Sequence, residues 1–228
     1  MPKKSKAIKV TDLRGEKPWL KKKNIFKYST ETLDKKKTFL IVCEGQSEEM
    51  YFKCFPVLSA QIKAVPLGRS NSALVECAKK LVESEKYDEV WCVFDMDFKP
   101  GVKRQYEDYD NSIESAIASG FKCAYSNDAF ELWYVLHYEY LDTEQLRKFF
   151  FDKLSKYWKL NYEKVGKTRD FAKSIYNLLE EDENASQENA VKNANKLFES
   201  KKGEAYHLQN PVTKVFELVE ELNLHIRR

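Results

Sequence analysis

The regular part of the chain begins with the run Thr38-Phe39-Leu40-Ile41-Val42-Cys43-Glu44-Gly45. A largely apolar run of this length predicts a β-strand that is covered on both faces, as the strands of parallel sheets are. The run Glu89-Val90-Trp91-Cys92-Val93-Phe94 repeats the pattern and leads directly into Asp95-Met96-Asp97. Both predicted strands therefore end in carboxylates.

Predicted strands and helices alternate through the first part of the chain. We expect strands at 38–43, 61–66, 89–94 and 121–125. The first helix should end near residue 55, and later helices should span 72–84, 106–119 and 129–140. We expect the helix at 129–140 to be capped by a residue of Ser126-Asn127-Asp128. Such alternation predicts a parallel sheet with right-handed crossovers. A strand order of 2-1-3-4 would make the first and third strands neighbours, about 4.8 Å apart.

The second part of the chain has only helical patterns. Helices are expected at 143–158, 169–180, 187–200 and 212–224, the last with Asn210 as its cap and Pro211 at its first position. The predicted fold class is thus α/β, with a Rossmann-like parallel sheet of about four strands and a C-terminal helical part. We divide the chain into a basic arm (1–36), an α/β domain (37–140) and a helical region (141–228).

Composition and charge restrict the class of protein. With 43% hydrophobic residues the chain can bury a core, whereas no run approaches the roughly 20 apolar residues that span a bilayer. The lysine-rich start lacks the apolar segment of a signal peptide, so we expect a cytoplasmic protein without membrane contact. Through Lys37 there are 13 Lys or Arg against 4 Asp or Glu. This arm could neutralise nucleic-acid phosphates or simply be a solvated tail.

The five cysteines are scattered and include no CxxC pair. Cys43, Cys92 and Cys123 fall inside predicted strands. We therefore expect buried, reduced thiols rather than disulfides or a zinc site.

Carboxylates at the ends of two neighbouring strands predict a cation site. Ligands of open parallel sheets bind just outside the carboxyl ends of the strands. An extended backbone would point Asp95 and Asp97 to the same side, beside Glu44, and Glu48 lies one helical turn further on. Clustered carboxylates repel one another, and Mg²⁺ or Mn²⁺ relieves that repulsion. Solvated loops also end in acidic residues, so a lone DxD is weak evidence.

Several motifs resemble known families. Glu44-Gly45-Gln46-Ser47-Glu48 resembles the EGxxE motif of Toprim domains, and Asp95-Met96-Asp97 resembles their DxD motif. The run Tyr125-Ser126-Asn127-Asp128-Ala129-Phe130-Glu131-Leu132-Trp133, with His137, is similar to RloB-like proteins. So is the closing segment Asn210-Pro211-Val212-Thr213. The resemblance covers about 37–222. Two positions depart from the patterns: Met96 stands where a basic residue is common, and Asp128 stands where proline is usual.

RloB-like proteins are bacterial Toprim-fold proteins of restriction and phage-defence loci, where they accompany ATPases. The resemblance therefore implies a metal-dependent nuclease effector that acts on DNA or RNA, with an ATPase partner and homo-oligomers as further expectations. It also implies that Asp95 and Asp97 hold Mg²⁺ or Mn²⁺. Glu44 would be a further ligand or the general acid/base, and Glu48 a ligand to a second ion.

Three other residues are candidates for supporting roles. Arg69 could clamp a phosphate beside a helix start, or lie in an ordinary polar loop. His137 could shuttle protons, although a packed histidine is the reading we favour. Glu131 could complete a helix cap or support the site.

Two other functions remain open from the sequence. The protein could be a non-catalytic Toprim-fold assembly or sensor subunit whose metal site is vestigial or structural. A receiver-like phospho-acceptor domain would also place carboxylates at these strand ends and would use Ser126. Against that function, we expect no fifth strand with its lysine.

Overall fold

The computed structural model describes residues 36–68, 71–166 and 168–226. The predicted arm, up to residue 35, and Arg69 lie outside this part of the chain. The residues from Lys36 onward belong to one compact unit.

A mostly parallel sheet forms the centre of this unit. Its first four strands are β1 (Lys37–Cys43), β2 (Ala60–Pro66), β3 (Glu89–Asp95) and β4 (Lys122–Asn127). They pair in parallel in the order β2-β1-β3-β4, which confirms the predicted order. β1 is buried from Phe39 to Cys43, as a run without polar alternation requires. The five cysteines are free thiols, and the three that lie in strands are buried, as predicted.

Helices follow each of these strands and continue to the end of the chain. Their bounds are α1 (Gln46–Lys53), α2 (Asn71–Ser84), α3 (Gln105–Ala118), α4 (Glu131–Val135), α5 (Arg147–Tyr157), α6 (Tyr162–Val165), α7 (Arg169–Glu181), α8 (Gln187–Lys201) and α9 (Val215–Asn223). α1 packs against α7, α2 against α3, and α8 against α9. In the described part of the chain, no helix is both long and apolar enough to span a membrane.

The prediction that a helix covers 212–224 is wrong at its start. Val212 and Thr213 form a fifth strand, β5 (Val212–Thr213), which pairs antiparallel with β4. The Thr213 hydroxyl accepts the N–H of Val215 and so assists the start of α9. Asn210 does not cap this helix, because its side chain forms two hydrogen bonds with the backbone of Gln145. Pairing with the open edge of β4 thus prevails over the local helical pattern.

The helix predicted at 129–140 is also shorter than expected. α4 ends at Val135, and the chain continues in turns with i→i+3 bonds such as Tyr138 N–H to the Val135 carbonyl. The predicted cap is absent, because Asn127 donates to the carbonyls of Tyr206 and His207. Asp128 likewise accepts from other parts of the chain. These side chains connect β4 to distant segments instead of starting α4.

Candidate functional site

The register of β1 and β3 brings the first two candidate carboxylates together. Cys43 lies opposite Val93, so Glu44 leaves β1 beside the last residues of β3. The backbone N–H of Asp95 donates to Glu44 Oε1 over 3.2 Å. Both residues line a cavity of about 710 Å³ at the carboxyl ends of the strands.

Asp97 reaches the same cavity by a different backbone route from the predicted one. Its φ is +46°, in the left-handed region, so the chain is not extended through the DxD motif. The Met96 N–H donates to the Ser126 carbonyl, and the Asp97 N–H donates to the Asp128 carbonyl. The backbone hydrogen bonds to Ser126 in β4 and to Asp128 just after it therefore determine where Asp97 lies. Met96, between the two aspartates, is buried.

Glu48 extends the cluster from the first turn of α1. It is buried, and its Oε2 has no hydrogen-bond partner in the described residues. Gly45 is needed for this approach, since a Cβ at that position would lie 2.6 Å from Glu48 Oε2. The glycine is thus required for space, because its φ of −118° is open to any residue.

Arg147, the first residue of α5, inserts a guanidinium into this group of carboxylates. Its Nη1 forms an ion pair with Asp97 Oδ1, and its Nη2 lies 3.7 Å from Asp95 Oδ2. The side chain is only 23% exposed. We did not identify Arg147 from the sequence, because a single arginine in a helical pattern carries no signal of proximity to residues 50 positions earlier.

Asp128 holds the two segments that meet at the site. Its Oδ1 accepts the Phe98 N–H over 2.8 Å, and its Oδ2 accepts the Arg147 N–H over 2.9 Å. Asp128 stands where proline is usual in the RloB-like pattern, and this departure was the signal in the sequence that the position could have a special role. One buried carboxylate therefore ties the loop after Asp97 to the start of α5.

The protonation equilibria of the cluster are strongly shifted. Burial, helped by the nearby carboxylates of Glu48 and Asp97, raises the pKa of Glu44 to about 8. Burial also raises the pKa of Glu48 to about 7. Asp95 has a pKa well above its ordinary range, because burial and its Glu48 and Glu44 neighbours outweigh the opposing charge of Arg147. These carboxyls cannot all ionise without a further cation.

The donors suit a hard divalent cation, although the side chains are not arranged around one. Among the described residues, no group of three His, Cys, Asp or Glu side chains forms a ready ligand set. Two buried oxygens nevertheless have no partner there, Asp95 Oδ1 and Glu48 Oε2. Carboxylate oxygens are the preferred ligands of Mg²⁺ and Mn²⁺. The residues therefore fit such an ion, with Arg147 supplying part of the positive charge.

The remaining candidates occupy different positions. Glu131 lines the cavity, and its carboxylate accepts a hydrogen bond from Tyr162. His137 does not line it: the ring is 2% exposed, and Nδ1 donates to the Trp133 carbonyl. Burial lowers the pKa of His137 to about 4. The expectation of no fifth strand with a lysine is wrong, because Lys214 follows β5, although β5 is antiparallel to β4. The Ser126 hydroxyl, which a receiver-like mechanism would use, is fully buried against Thr213.

Comparison with known proteins places these features in a family context. Residues 39–222 match the family model described as RloB-like protein. No curated protein and no solved structure matches the chain. The matched region covers most of the sequence and includes every carboxylate of the cavity.

Proposed function

This chain belongs to the RloB-like family, and we propose that it is a Toprim-type, metal-dependent nuclease effector that cleaves nucleic-acid phosphodiester bonds in bacterial defence. The observation that carries the proposal is the convergence of Glu44, Glu48 and Asp95 in one cavity, with two buried carboxylate oxygens unpartnered among the described residues. The resemblance to the EGxxE and DxD motifs supports the same reading.

Under this proposal, Asp95, Asp97 and Glu48 would hold Mg²⁺ or Mn²⁺. When bound, the ion would neutralise charge that develops on the phosphate oxygens. Glu44 lines the same cavity and would transfer a proton to or from the attacking water, and burial raises its pKa in the direction that suits such a group. Its ordered position beside the Asp95 backbone keeps the carboxylate directed into the cavity.

Arg147 has a second role in the proposed reaction. With a divalent ion held by these residues, the guanidinium of Arg147 would no longer be needed as the counter-charge of Asp95 and Asp97. It would then be available for paired hydrogen bonds to a phosphate, for which its planar geometry is suited. Lys99, which pairs with Asp97 over 2.9 Å at the cavity edge, adds a second cation to this side.

The test is cleavage by the full chain, alone and with the ATPase encoded beside it where one is found. Labelled DNA, RNA and tRNA are incubated with Mg²⁺, Mn²⁺ or EDTA. We expect cleavage only with a divalent ion, and losses of at least about a hundredfold for Glu44→Gln and Asp95→Asn. Glu76→Gln, an exposed carboxylate on α2, is the matched control and should cleave normally. Cleavage that survives both substitutions at the site would exclude this mechanism.

One observation favours a non-catalytic subunit as the second candidate. Arg147 already contacts both aspartates, and such a contact would suit a site in which a guanidinium has permanently replaced a metal. Thermal unfolding separates the two functions, because an ion that binds only the folded state raises the melting temperature. An unchanged melting temperature supports the non-catalytic subunit with a vestigial site. A rise with Mn²⁺ that Asp95→Asn abolishes shows metal binding, and the cleavage assay then separates the nuclease from a structural metal site.

A further inference from the structure

A second, smaller cavity lies directly beside the carboxylate cavity. Its volume is about 320 Å³, and Met96 lines both cavities. The loop after the DxD motif separates the two spaces. Lys99 of this loop and Gln105, the first residue of α3, line the carboxylate cavity, whereas Phe98 of the loop and Tyr106 of α3 line the smaller one.

Three rings form the wall of the smaller cavity, and we call them the aromatic ledge: Phe98, Tyr106 and His207. The Phe98 and Tyr106 rings are stacked at 5.8 Å with an interplanar angle of 14°. Tyr106 and His207 are 5.0 Å apart at 31°. Tyr106 is 43% exposed, although a large aromatic ring on a folded surface would normally be covered further. All three rings line the smaller cavity, and the exposed part of Tyr106 offers ring surface onto which another planar ring can stack.

Hydrogen bonds hold the aromatic ledge in place on both sides. Asp128 accepts the Phe98 N–H, so the first ring shares its anchor with Arg147 of the carboxylate cavity. Asp110 accepts the His207 N–H over 2.9 Å and contacts its ring Nδ1 at 2.6 Å. The ledge is thus preorganised at a fixed position relative to the carboxylates, which lowers the entropic cost of binding.

We propose that the smaller cavity is a nucleobase subsite, in which an unpaired base next to the scissile phosphate stacks on the aromatic ledge. The inference rests on the proposed nuclease function and specifies its substrate class. Leu146 and Leu208, each 54% exposed, supply apolar contact beside the rings. Sites that bind single-stranded nucleic acid usually combine aromatic side chains, on which bases stack, with positively charged residues that contact the phosphates.

The position of the charges suits a nucleotide as the occupant. Lys99, Lys103 and Arg104 are exposed on the same loop that carries Phe98, where Lys99 pairs with Asp97 and Arg104 with Glu107. Among the described residues that line the smaller cavity, Asp128 and Glu144 are charged and none is Lys or Arg, so these cations would contact a phosphate beside the cavity rather than the base within it. Cations near the rings suit a ligand with both a planar base and a phosphate. Bases within a duplex have both faces covered by their neighbours, so the ledge requires a single strand or a nucleotide that has left the stack. The substrate is therefore single-stranded or locally unpaired nucleic acid.

The experiment measures binding of the full chain to labelled single-stranded and duplex oligonucleotides in EDTA, so that cleavage does not interfere. Tyr106→Ala should weaken single-strand binding about tenfold, in line with the stacking contribution of one base. Tyr106→Phe should bind as the wild type does, because it keeps the ring. Ile117→Ala changes an exposed apolar residue of the same helix, α3, and is the matched control. A fluorescent adenine analogue in the strand should be quenched by the wild type and less so by Tyr106→Ala.

The outcomes of the subsite test and of the nuclease test are separable. Equal affinity of Tyr106→Ala and the wild type for single strands overturns the subsite, even if the chain cleaves nucleic acid. Failure of Tyr106→Phe to restore binding also overturns it. Loss of stacking in Tyr106→Ala, in a chain that shows no metal-dependent cleavage, supports the subsite and rejects the nuclease. If a partner protein covers the ledge instead, Tyr106→Ala leaves nucleic-acid affinity unchanged and the proposal fails.

Discussion

Arg147 forms an ion pair with Asp97, although the two residues belong to different parts of the chain. Asp97 lies just after β3, and Arg147 begins the first long helix of the C-terminal region. The helical region thus completes the charge balance of a cavity that the sheet creates. Breaking this contact provides the most direct test of how the site is neutralised.

Arg147→Gln should destabilise the protein in EDTA and increase its response to divalent ions. Removal of the guanidinium leaves partly buried carboxylates without their counter-charge, which should lower the free energy of unfolding by about 1–3 kcal/mol. The rise in melting temperature with Mn²⁺ should exceed that of the wild type, because the ion no longer competes with a guanidinium. Arg104→Gln, which removes an exposed pair with Glu107, is the control. An Mn²⁺ response equal to that of the wild type would show that ion and guanidinium do not share a site.

Stability without metal should fall as the pH rises through neutrality. The folded-state pKa values of Glu44 and Glu48, about 8 and about 7, lie above the ordinary value of 4.5. Between pH 4.5 and 8 the folded state therefore retains protons that the unfolded chain has released. The free energy of unfolding then decreases, by at most about 1.4 kcal/mol per pH unit for each such proton.

This pH dependence can be measured by urea denaturation in EDTA. The stabilising effect of the protonated carboxyls is complete below pH 4.5 and lost above pH 8. Glu48→Gln should flatten the decline, since it replaces one buried carboxyl with a neutral group, whereas Glu76→Gln should follow the wild type. Stability that stays constant or increases across this range would contradict the raised pKa values of Glu44 and Glu48.

The sheet and the position of its carboxylates were predictable because they depend on local pattern. The apolar runs of β1 and β3 have no polar alternation, and alternation with helices predicts that the strands are parallel, whereas the order 2-1-3-4 was an assumption that the structure bears out. The sequence missed β5, however, because two residues carry no strand signal of their own. Val212 and Thr213 pair with β4 only because the tertiary structure brings them to its edge.

The site was predictable only where its residues follow strands. Glu44 and Asp95 come together through the sheet register, which the sequence pattern implies. The left-handed conformation of Asp97 and the insertion of Arg147 depend on Asp128, whose carboxylate connects segments far apart in the chain. The departure from proline at Asp128 was the available signal, but it does not by itself distinguish such a carboxylate from the helix cap that we predicted.

Gly45→Ala should impair the site while leaving the fold nearly unchanged. The added Cβ would lie 2.6 Å from Glu48 Oε2 and would displace that carboxylate. We expect a weaker Mn²⁺-induced rise in melting temperature and a cleavage rate reduced about tenfold or more. Gly203→Ala is the matched contrast: its φ of +93° should make it cost about 1–2 kcal/mol of stability, with no change at the site. Equal Mn²⁺ responses of the Gly45→Ala variant and the wild type would show that Glu48 does not bind the ion.

Asp128→Asn should weaken the protein and the site together. An amide can accept only one of the two backbone N–H groups that the carboxylate accepts, from Phe98 and Arg147. One buried donor then loses its partner, which should cost about 1–3 kcal/mol of unfolding free energy. Because the same bonds fix the loop and α5, cleavage and single-strand binding should both decrease.

Asp88→Ala provides the control for this substitution, because both Thr38 donors use one oxygen of Asp88 and an amide would keep that acceptor. Asp88 also accepts a backbone N–H, from Thr38, but it lies at the opposite end of the strands from the carboxylates. The control should have a lower stability than the wild type. Its cleavage and binding should be unchanged when both are measured well below its melting temperature. If both variants lose activity only in proportion to stability, Asp128 acts as an ordinary structural residue. Loss of activity by Asp128→Asn at a temperature where the protein remains folded would instead establish that its two hydrogen bonds position the site.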